Sequence, residues 1–312
     1  MGDQPHIVYF FDRGFEPCTM VSLYTVLNTK AQLLRVSLHA TDPSDHLGDT
    51  VQRLASHFQA DITLNHLNLE DYKHLPRGRL PLAARSRLLL PKLHDGRVLY
   101  IDGDCIARRD VTELWHSDLQ GKCIGAVLAP GVMSDLQKAL NTGSKTARAK
   151  ADKQLARGVK LDGIDMARYF NSGVMVFDLD IIHAKGLADQ MMDIEATAKY
   201  TSRDQDWLNM IFRDEVQYLD PIWNSGWGNP KTAKSYVSKD IRDAWKESRD
   251  NPAIVHFTGF EKPWQSNTPP FKWHLLHQPR QRKDRAKYWA EFQAARRACE
   301  QIIERPLFES SD

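Results

Sequence analysis

Short apolar runs alternate with amphipathic stretches along most of this chain. Apolar side chains recur at helical spacing in four stretches, residues 19–29, 47–58, 84–93 and 204–214. Six runs are short and mainly apolar, as expected of strands buried on both faces: residues 6–11, 33–40, 62–68, 97–102, 122–129 and 169–179. The alternation predicts an α/β domain with a mostly parallel sheet flanked by helices.

A pair of aspartates follows one of the predicted buried strands. In parallel sheets, ligands bind beyond the carboxyl ends of the strands. The strand at 97–102 ends in Asp102, and Asp104 lies two residues later, so both carboxylates point to the same side of an extended chain. Two such carboxylates can hold a divalent cation that binds a diphosphate. Asp-x-Asp alone is a weak signal, since two more such triplets occur, at 178–180 and 204–206. The alternative is therefore that Asp102 and Asp104 lie in a solvated loop without a metal.

Three later segments add polar groups of complementary chemistry. Asn171, in FNSGV, precedes another buried run, and Asp204 and Gln205 begin a helix, where an acid is favoured by the helix dipole. The segment HFTGFEKPW follows a short strand, AIV. It supplies a ligand for a transition metal, a glycine that allows close backbone approach to a phosphate, and a cation for that phosphate: His256, Gly259 and Lys262.

The ordered set of motifs resembles the family 8 glycosyltransferases, retaining enzymes that include bacterial lipopolysaccharide galactosyltransferases and glycogenin. The resemblance runs from about residue 6 to residue 264, through a first strand ending in Asp, an Arg-containing helix, DGD, FNSGV, DQD and HFTGFEKPW. It implies a GT-A fold with a Rossmann-like sheet in a single domain over 1–265. Residues 134–168 would be an acceptor-side insertion or lid, and 266–312 a basic helical tail.

The resemblance also implies a role for individual residues. Asp102, Asp104 and His256 would coordinate Mn²⁺, with Mg²⁺ as the alternative. Asp102 would also bind the substrate. The remaining donor contacts would be Phe10, Asp12 and Phe15 around the uracil, Arg87, Asn171, Asp204 and Gln205 around the sugar, and Gly259 and Lys262 on the diphosphate.

The implied reaction is transfer of galactose or glucose from a UDP-sugar to a glycan or glycolipid acceptor, such as lipopolysaccharide or another surface glycan. Gln205 and Asp204 are the catalytic candidates, and we expect them to orient and stabilise the sugar during front-face attack. A covalent glycosyl-enzyme is the alternative route to retention. Two departures from the family pattern, the run 13–15 and Ala129, leave the donor hexose open.

Two other function classes compete with this interpretation. LYIDGDCI also resembles the first motif of haloacid dehalogenase-type phosphatases. That motif normally lies near the chain start and needs a later acidic pair, whereas here it begins near residue 102 without a convincing partner. A nucleotide-sugar binding protein without catalysis is the second alternative, although the metal triad, Lys262 and Gln205 are all present.

Charge, hydropathy and cysteine spacing indicate the cellular compartment in which we expect the protein. The formal net charge is only +2, and no apolar run approaches the 18 residues of a membrane-spanning helix. The N-terminus carries no basic region of a signal peptide. No two of the four cysteines form a CxxC pair, which favours free thiols in a reducing compartment. We therefore expect a cytoplasmic protein.

The basic stretch 280–297 could add a peripheral membrane contact. It holds seven Lys or Arg against two acids, interleaved with Tyr288, Trp289 and Phe292. Such a stretch can lie on the anionic inner face of a membrane, and a solvated C-terminal helix is the alternative. Nothing else in the sequence supports nucleic acid as a partner, so none is expected.

Overall fold

Two β-sheets organise the protein, whose computed structural model describes residues 4–75, 82–227, 239–258, 261–270 and 279–308. The strands are β1 His6–Phe11, β2 Arg35–Ala40, β3 Asp61–His66, β4 Arg97–Ile101, β5 Cys105–Ala107, β6 Ile124–Leu128, β7 Phe170–Asp178, β8 Val216–Tyr218, β9 Ser225–Gly226 and β10 Ile254–His256. Seven form a central sheet in the order β3-β2-β1-β4-β7-β6-β8, and β5-β10-β9 form a smaller one. In the central sheet β7 is antiparallel to both neighbours, and the other pairs are parallel.

Helices cover this sheet. The α-helices are α1 Glu16–Thr29, α2 Leu47–Phe58, α3 Leu90–Leu93, α4 Thr112–Trp115, α5 Pro130–Thr142, α6 Lys145–Lys160, α7 Leu179–Ala184, α8 Ala188–Met191, α9 Arg203–Ile211, α10 Lys239–Asp250 and α11 Pro279–Ile303. Short 3₁₀ helices span Glu70–Tyr72, Leu82–Leu89, Met166–Arg168, Glu195–Lys199 and Pro221–Asn224. The predicted α/β fold with a mainly parallel sheet is therefore confirmed.

The first strand shows why the strands appear as continuous apolar runs. Its side chains alternate between two hydrophobic clusters: Val8 and Phe10 join one, whereas Ile7, Tyr9 and Phe11 join the other. Both faces of the sheet are thus covered, and neither face needs polar residues.

The segment predicted as a helix over 84–93 has a different form. It is a 3₁₀ helix over Leu82–Leu89, followed by a single α-helical turn over Leu90–Leu93. Pro91 has no N–H, so it cannot donate the i→i−4 bond that an α-helix through this point would require. The 3₁₀ segment is unusually buried for a connector, and Arg87 on it is only 5% exposed.

Residues 130–160 form a helical hairpin. Helices α5 and α6 are joined at Gly143, whose φ of 60° is the left-handed conformation that glycine adopts at a helix C-terminus. Helix α6 turns small residues toward the protein, namely Ala147, Ala151 and Gly158. The basic, helical character predicted for this insertion is present.

The C-terminal helix α11 is docked on the protein. Tyr288, Trp289 and Phe292 are at most 4% exposed and pack in one cluster with Trp227 and Phe257. These aromatics therefore face the protein, where they anchor the helix next to β10, and are not available to a membrane surface. Exposed basic side chains remain on its outer face. No helix within the described residues is both long and apolar enough to cross a bilayer.

The cysteine prediction is consistent with the structure. All four cysteines are buried free thiols.

Candidate active site

The aspartate pair lies in a tight turn where β4 ends. The N–H of Asp102 donates to Gly173 O (2.7 Å) at the start of β7, so the turn is fixed to the neighbouring strand. A Cβ on Gly103 would lie 2.1 Å from Thr19 Oγ1 on α1, and this close approach requires glycine between the two aspartates. The turn directs Asp104 inward, where it is 7% exposed.

His256 faces both aspartates from the smaller sheet. Its Nε2 lies 3.2 Å from Asp104 Oδ1 and 3.8 Å from Asp102 Oδ2. Each of these distances allows the two atoms concerned to share one divalent cation. Within the described residues, however, the side chains whose ligand atoms all lie close to one another are Asp104, Cys105 and His256, without Asp102. Space for a cation depends on Gly173, since a Cβ there would lie 2.2 Å from His256 Cε1 and 2.7 Å from Asp102 Oδ2.

Cys105 is a competing ligand. Within the described residues its Sγ groups with Asp104 and His256 at metal-binding separations. Burial and the neighbouring carboxylates raise the pKa of the Cys105 thiol well above its usual value. A bound cation would itself favour the thiolate, so Cys105 is a candidate ligand beside Asp104 and His256, and the predicted ligand Asp102 lies 3.8 Å from His256 Nε2.

Lys262 shares Asp104 with His256. Lys262 Nζ lies 2.7 Å from Asp104 Oδ2, the oxygen opposite the one that faces the imidazole, and also contacts Phe257 O. Burial alone would raise the pKa of Asp104, but His256 and Lys262 outweigh it and lower that pKa below its usual range. Asp104 is therefore a carboxylate at neutral pH, with a cation beside the predicted metal position.

Arg87 lies between two acids. Its guanidinium is 2.9 Å from Asp102 Oδ1 and 3.1 Å from Asp204 Oδ2, and it donates to Ser172 O (2.5 Å). It also stacks 4.5 Å from the centre of the Tyr100 ring, whose hydroxyl donates to Asp102 Oδ1. Arg87 is therefore a buried cation paired with two acids, and not a solvated residue on the surface of a helix.

Burial shifts the ionisation of Asp204. It raises the Asp204 pKa to about 6, with the charge of Asp102 acting in the same direction and Arg87 against it. Asp204 is still ionised at neutral pH, where it pairs with Arg87.

Backbone donors fix the orientation of the amide side chains. The Gly173 N–H donates to Asn171 Oδ1 (3.0 Å), so that oxygen is identified without ambiguity. Asn224 must then present its NH₂ to the same oxygen (2.8 Å), which turns Asn224 Oδ1 toward His256 Nδ1 (2.9 Å). His256 Nδ1 consequently carries a proton, so Nε2, which faces Asp104, is the ring nitrogen that could bind a cation, the arrangement common around metal-ligating histidines.

Gln205 continues the same network. Its Oε1 accepts from Asn171 Nδ2 (3.1 Å) and from the Ser172 N–H (3.2 Å), and its Nε2 donates to the Tyr169 hydroxyl (3.0 Å). The structure thus brings together the residues predicted to bind the metal and the sugar: Asp102, Asp104, His256, Lys262, Arg87, Asp204, Asn171 and Gln205.

The end of β1 and the loop after it hold the residues predicted around the uracil. Asp12 Oδ1 accepts from the Phe15 N–H (3.0 Å), so Asp12 caps the turn that leads into α1. Phe15 is half-buried and lies edge-on to Trp264, 6.2 Å between ring centres, and Trp264 in turn lies beside Lys262. Phe10 is buried and stacks on His39.

Gly259 lies outside the described residues.

Sequence reasoning missed Asn224, Gly173 and Tyr100. Gly173 lies within the FNSGV motif, and Tyr100 alternates with Asp102 on the strand, so both carried a local signal. Asn224 lies in a 3₁₀ turn without any motif. Its position next to His256 arises from the pairing of β9 with β10.

Comparison with models of known protein families identifies the family of this chain. A sequence model of glycosyl transferase family 8 matches residues 6–268. This chain belongs to glycosyl transferase family 8 and is a transferase. The haloacid dehalogenase alternative is thereby removed.

Relatives and structural neighbours agree with this. The chain is similar to general stress protein A of Bacillus subtilis (27% identity, 70% of this chain and 73% of that protein). It is also similar to lipopolysaccharide 1,2-glucosyltransferase of Escherichia coli K12 (26%, 83% and 72%). Its fold matches galactosyltransferase LgtC in complex with donor and acceptor sugar analogs (TM-score 0.67, 21% identity, 93% and 95%). The bifunctional glycosyltransferase WbbM also matches (TM-score 0.71, 18%, 98% of this chain), and there the chain spans about half of the protein (52%). The GT-A fold predicted from the sequence is confirmed.

Proposed function

We propose that this family 8 glycosyltransferase is a metal-dependent, retaining hexosyltransferase that moves galactose or glucose from a UDP-sugar to a glycan or glycolipid acceptor. The observation that carries the proposal is the convergence of Asp102, Asp104 and His256 beside Arg87 and Gln205. The first three residues offer ligands for a cation that would bind the diphosphate of a nucleotide-sugar. Arg87 and Gln205 offer hydrogen bonds of the kind that sugar hydroxyls accept and donate.

The proposed metal is Mn²⁺, with Mg²⁺ as the alternative. The mixed nitrogen and oxygen donor set favours a transition metal over Mg²⁺, which prefers oxygen ligands. When bound, the ion would neutralise charge on the diphosphate and make UDP a better leaving group. Lys262, 2.7 Å from Asp104, lies where it can share that charge. Preorganised charges of this kind are usually the largest catalytic contribution.

The proposed route to retention is front-face attack, in which the leaving phosphate takes the acceptor proton. Gln205 is unsuited as a nucleophile, because its carbonyl oxygen already accepts two hydrogen bonds, from Asn171 and from the Ser172 N–H. Asp204 is 2% exposed and paired with Arg87. These contacts support a role for both side chains in orienting the sugar and stabilising its positive charge.

The relatives support a hexose donor and a surface-glycan acceptor. Two are lipopolysaccharide glucosyl- and galactosyltransferases, of Escherichia coli and Salmonella typhimurium. Others are probable galacturonosyltransferases of Arabidopsis thaliana, so a uronic acid belongs in any donor panel. In this proposal the catalytic unit spans 1–265, residues 134–168 lie on the acceptor side, and the basic residues of 280–297 offer a membrane contact.

The test is UDP release from a panel of UDP-sugars, with Mn²⁺ and with a chelator, without acceptor. We expect Mn²⁺-dependent release from one hexose donor. Asp104→Asn should abolish it. The control is Asp180→Asn in the Asp-x-Asp triplet 178–180, where the Asp180 carboxylate accepts from the Gly96 N–H; this variant should retain it. If no UDP-sugar of the panel releases UDP, and UDP does not bind in a Mn²⁺-dependent way, the proposal is wrong.

A further inference from the structure

Arg157, on the α6 helix of the 134–168 insertion, reaches into the hydrogen-bond network of the candidate site. Its Nη2 lies within hydrogen-bond distance of three acceptors, Asp206 Oδ1 (2.5 Å), the Tyr169 hydroxyl (2.6 Å) and Ser202 Oγ (2.6 Å), which share its two protons, and its Nε donates to Asp206 Oδ1 (3.0 Å). The guanidinium also lies 4.5 Å from the centre of the Tyr169 ring. One side chain of the insertion thus binds three residues next to Gln205: Asp206 on the same helix α9, Ser202 at the start of that helix, and Tyr169.

The Tyr169 hydroxyl joins Arg157 to Gln205. It donates its only proton to Asp206 Oδ1 (2.8 Å), an acceptor that is 1% exposed. The oxygen therefore has only lone pairs left, and these accept from Arg157 and from Gln205 Nε2 (3.0 Å). Burial and the charge of Asp206 raise the pKa of Tyr169 far above its usual value, so this hydroxyl keeps its proton.

The direction of the hydrogen bond between Gln205 and the Tyr169 hydroxyl decides where the carbonyl oxygen of Gln205 points. A hydroxyl that can only accept requires Gln205 to present its NH₂, which turns the carbonyl oxygen toward Asn171 and the Ser172 N–H. The backbone donor of Ser172 demands the same orientation independently. Gln205 is thus fixed from both sides, and one of the two constraints depends on the Tyr169 hydroxyl, which Arg157 of the insertion contacts.

We propose that Arg157 is a positioning residue, which acts through Asp206 and Tyr169 to hold the Gln205 carboxamide in the orientation used by the donor sugar. This inference rests on the proposed function of Gln205. It assigns the insertion a part in donor chemistry as well as its expected place on the acceptor side. The UDP and metal ligands lie elsewhere in the site, on Asp102, Asp104 and His256, so the role of Arg157 is separable from nucleotide binding.

The test compares variants of the full chain, using Mn²⁺-dependent hydrolysis of whichever UDP-hexose the wild type cleaves and UDP affinity from calorimetry. Arg157→Met and Tyr169→Phe should each lower kcat about 10- to 100-fold, with the KM for donor and the Kd for UDP within about threefold of wild type. Tyr169→Phe keeps the ring and removes only the hydroxyl. Arg157→Lys keeps the charge but not the fork of donors, so partial rescue is expected. The double variant should be no worse than the poorer single one, since both break one path.

Arg148→Met is the matched control, because Arg148 is an exposed arginine on the same helix, and donor hydrolysis should be unchanged. If Arg157→Met and Tyr169→Phe fold and hydrolyse donor within twofold of wild type, the inference is wrong. A parallel loss of UDP affinity would also overturn it and indicate a general structural role. A wild type that hydrolyses no UDP-sugar would instead refute the proposed function, and the inference with it.

Discussion

Asn224 gives the sharpest test of the metal site, because one substitution removes its contact with His256 and another preserves it. Asn224 Oδ1 accepts from His256 Nδ1 (2.9 Å), while Asn224 Nδ2 donates to Asn171 Oδ1 (2.8 Å). The first bond sets the imidazole so that Nε2 faces the aspartates. The second belongs to the sugar side of the site. Asn224 is 5% exposed, so water cannot readily replace either bond.

Asn224→Ala removes both bonds and leaves His256 Nδ1–H buried without an acceptor. Loss of such an outer partner typically lowers metal affinity 10- to 100-fold, which is about 1.4–2.7 kcal/mol. Asn224→Asp still accepts from Nδ1, and a carboxylate in that place makes the histidine a stronger ligand. It cannot donate to Asn171. We therefore expect Asn224→Asp to bind Mn²⁺ at least as tightly as wild type and yet turn over more slowly.

The measurement is calorimetric titration of Mn²⁺ into the protein at saturating UDP, followed by UDP release from the preferred donor. Melting temperatures of both variants control for folding. An Asn224→Ala protein with a Mn²⁺ Kd within twofold of wild type would refute the assigned tautomer. So would an Asn224→Asp protein that binds Mn²⁺ as weakly as Asn224→Ala.

Three further predictions follow from other contacts. Gly173→Ala should abolish Mn²⁺-dependent UDP binding in calorimetry, because the new Cβ would lie 2.2 Å from His256 Cε1, and a folded variant with normal binding would contradict this. Arg87→Met leaves the buried carboxylate of Asp204 and the half-buried carboxylate of Asp102 without their cation, a loss of ~3–5 kcal/mol that lowers the Tm by ~5–8 °C for a chain of this length; an unchanged Tm in a thermal-shift assay would count against the pairing. Burial lowers the pKa of His39 and of His94 from 6.5 to about 4, so the unfolded chain takes up protons that the folded protein refuses, and stability should fall as the pH drops from 6.5 toward 4. Urea midpoints across that range measure this, and His94→Gln should make the dependence shallower.

The sequence predicted the parts of the site that depend on local position. Asp102 follows a buried strand, and the carboxyl ends of strands are where an α/β sheet binds ligands, so its place in the site could be predicted from the order of elements. Asn171 lies at the amino end of β7 and comes close to Asp102 because β7 is antiparallel to β4, which the prediction of a mostly parallel sheet did not include. Gly103 and Gly173 were marked by their motifs, although the atoms they leave room for, Thr19 Oγ1 and His256 Cε1, became apparent only from the fold.

Tertiary packing decided what local pattern could not. Arg157 lies 49 residues from Asp206 in an insertion with little apolar pattern, so no sequence spacing connects them. In the sequence, the aromatic residues of α11 alternate with charged ones, and this pattern is as typical of a segment on a membrane surface as of a helix packed against the protein. Their burial depends on Trp227 and Phe257, which are supplied by other segments. Contacts between residues that are far apart in the sequence could not be predicted from local pattern.

A single set of donors and acceptors links the metal ligand to the sugar-side residues. The Gly173 and Ser172 N–H groups cannot change direction, and each faces an amide oxygen, on Asn171 and Gln205 respectively. A flip of the Asn171 amide would set its NH₂ against the Gly173 N–H and the Asn224 NH₂, and its oxygen against the Gln205 oxygen. Each buried mismatch costs about 1–3 kcal/mol, so the flipped state is scarcely populated. The orientation of the Gln205 amide and the tautomer of His256 are therefore set together, and a perturbation of either should be felt at both.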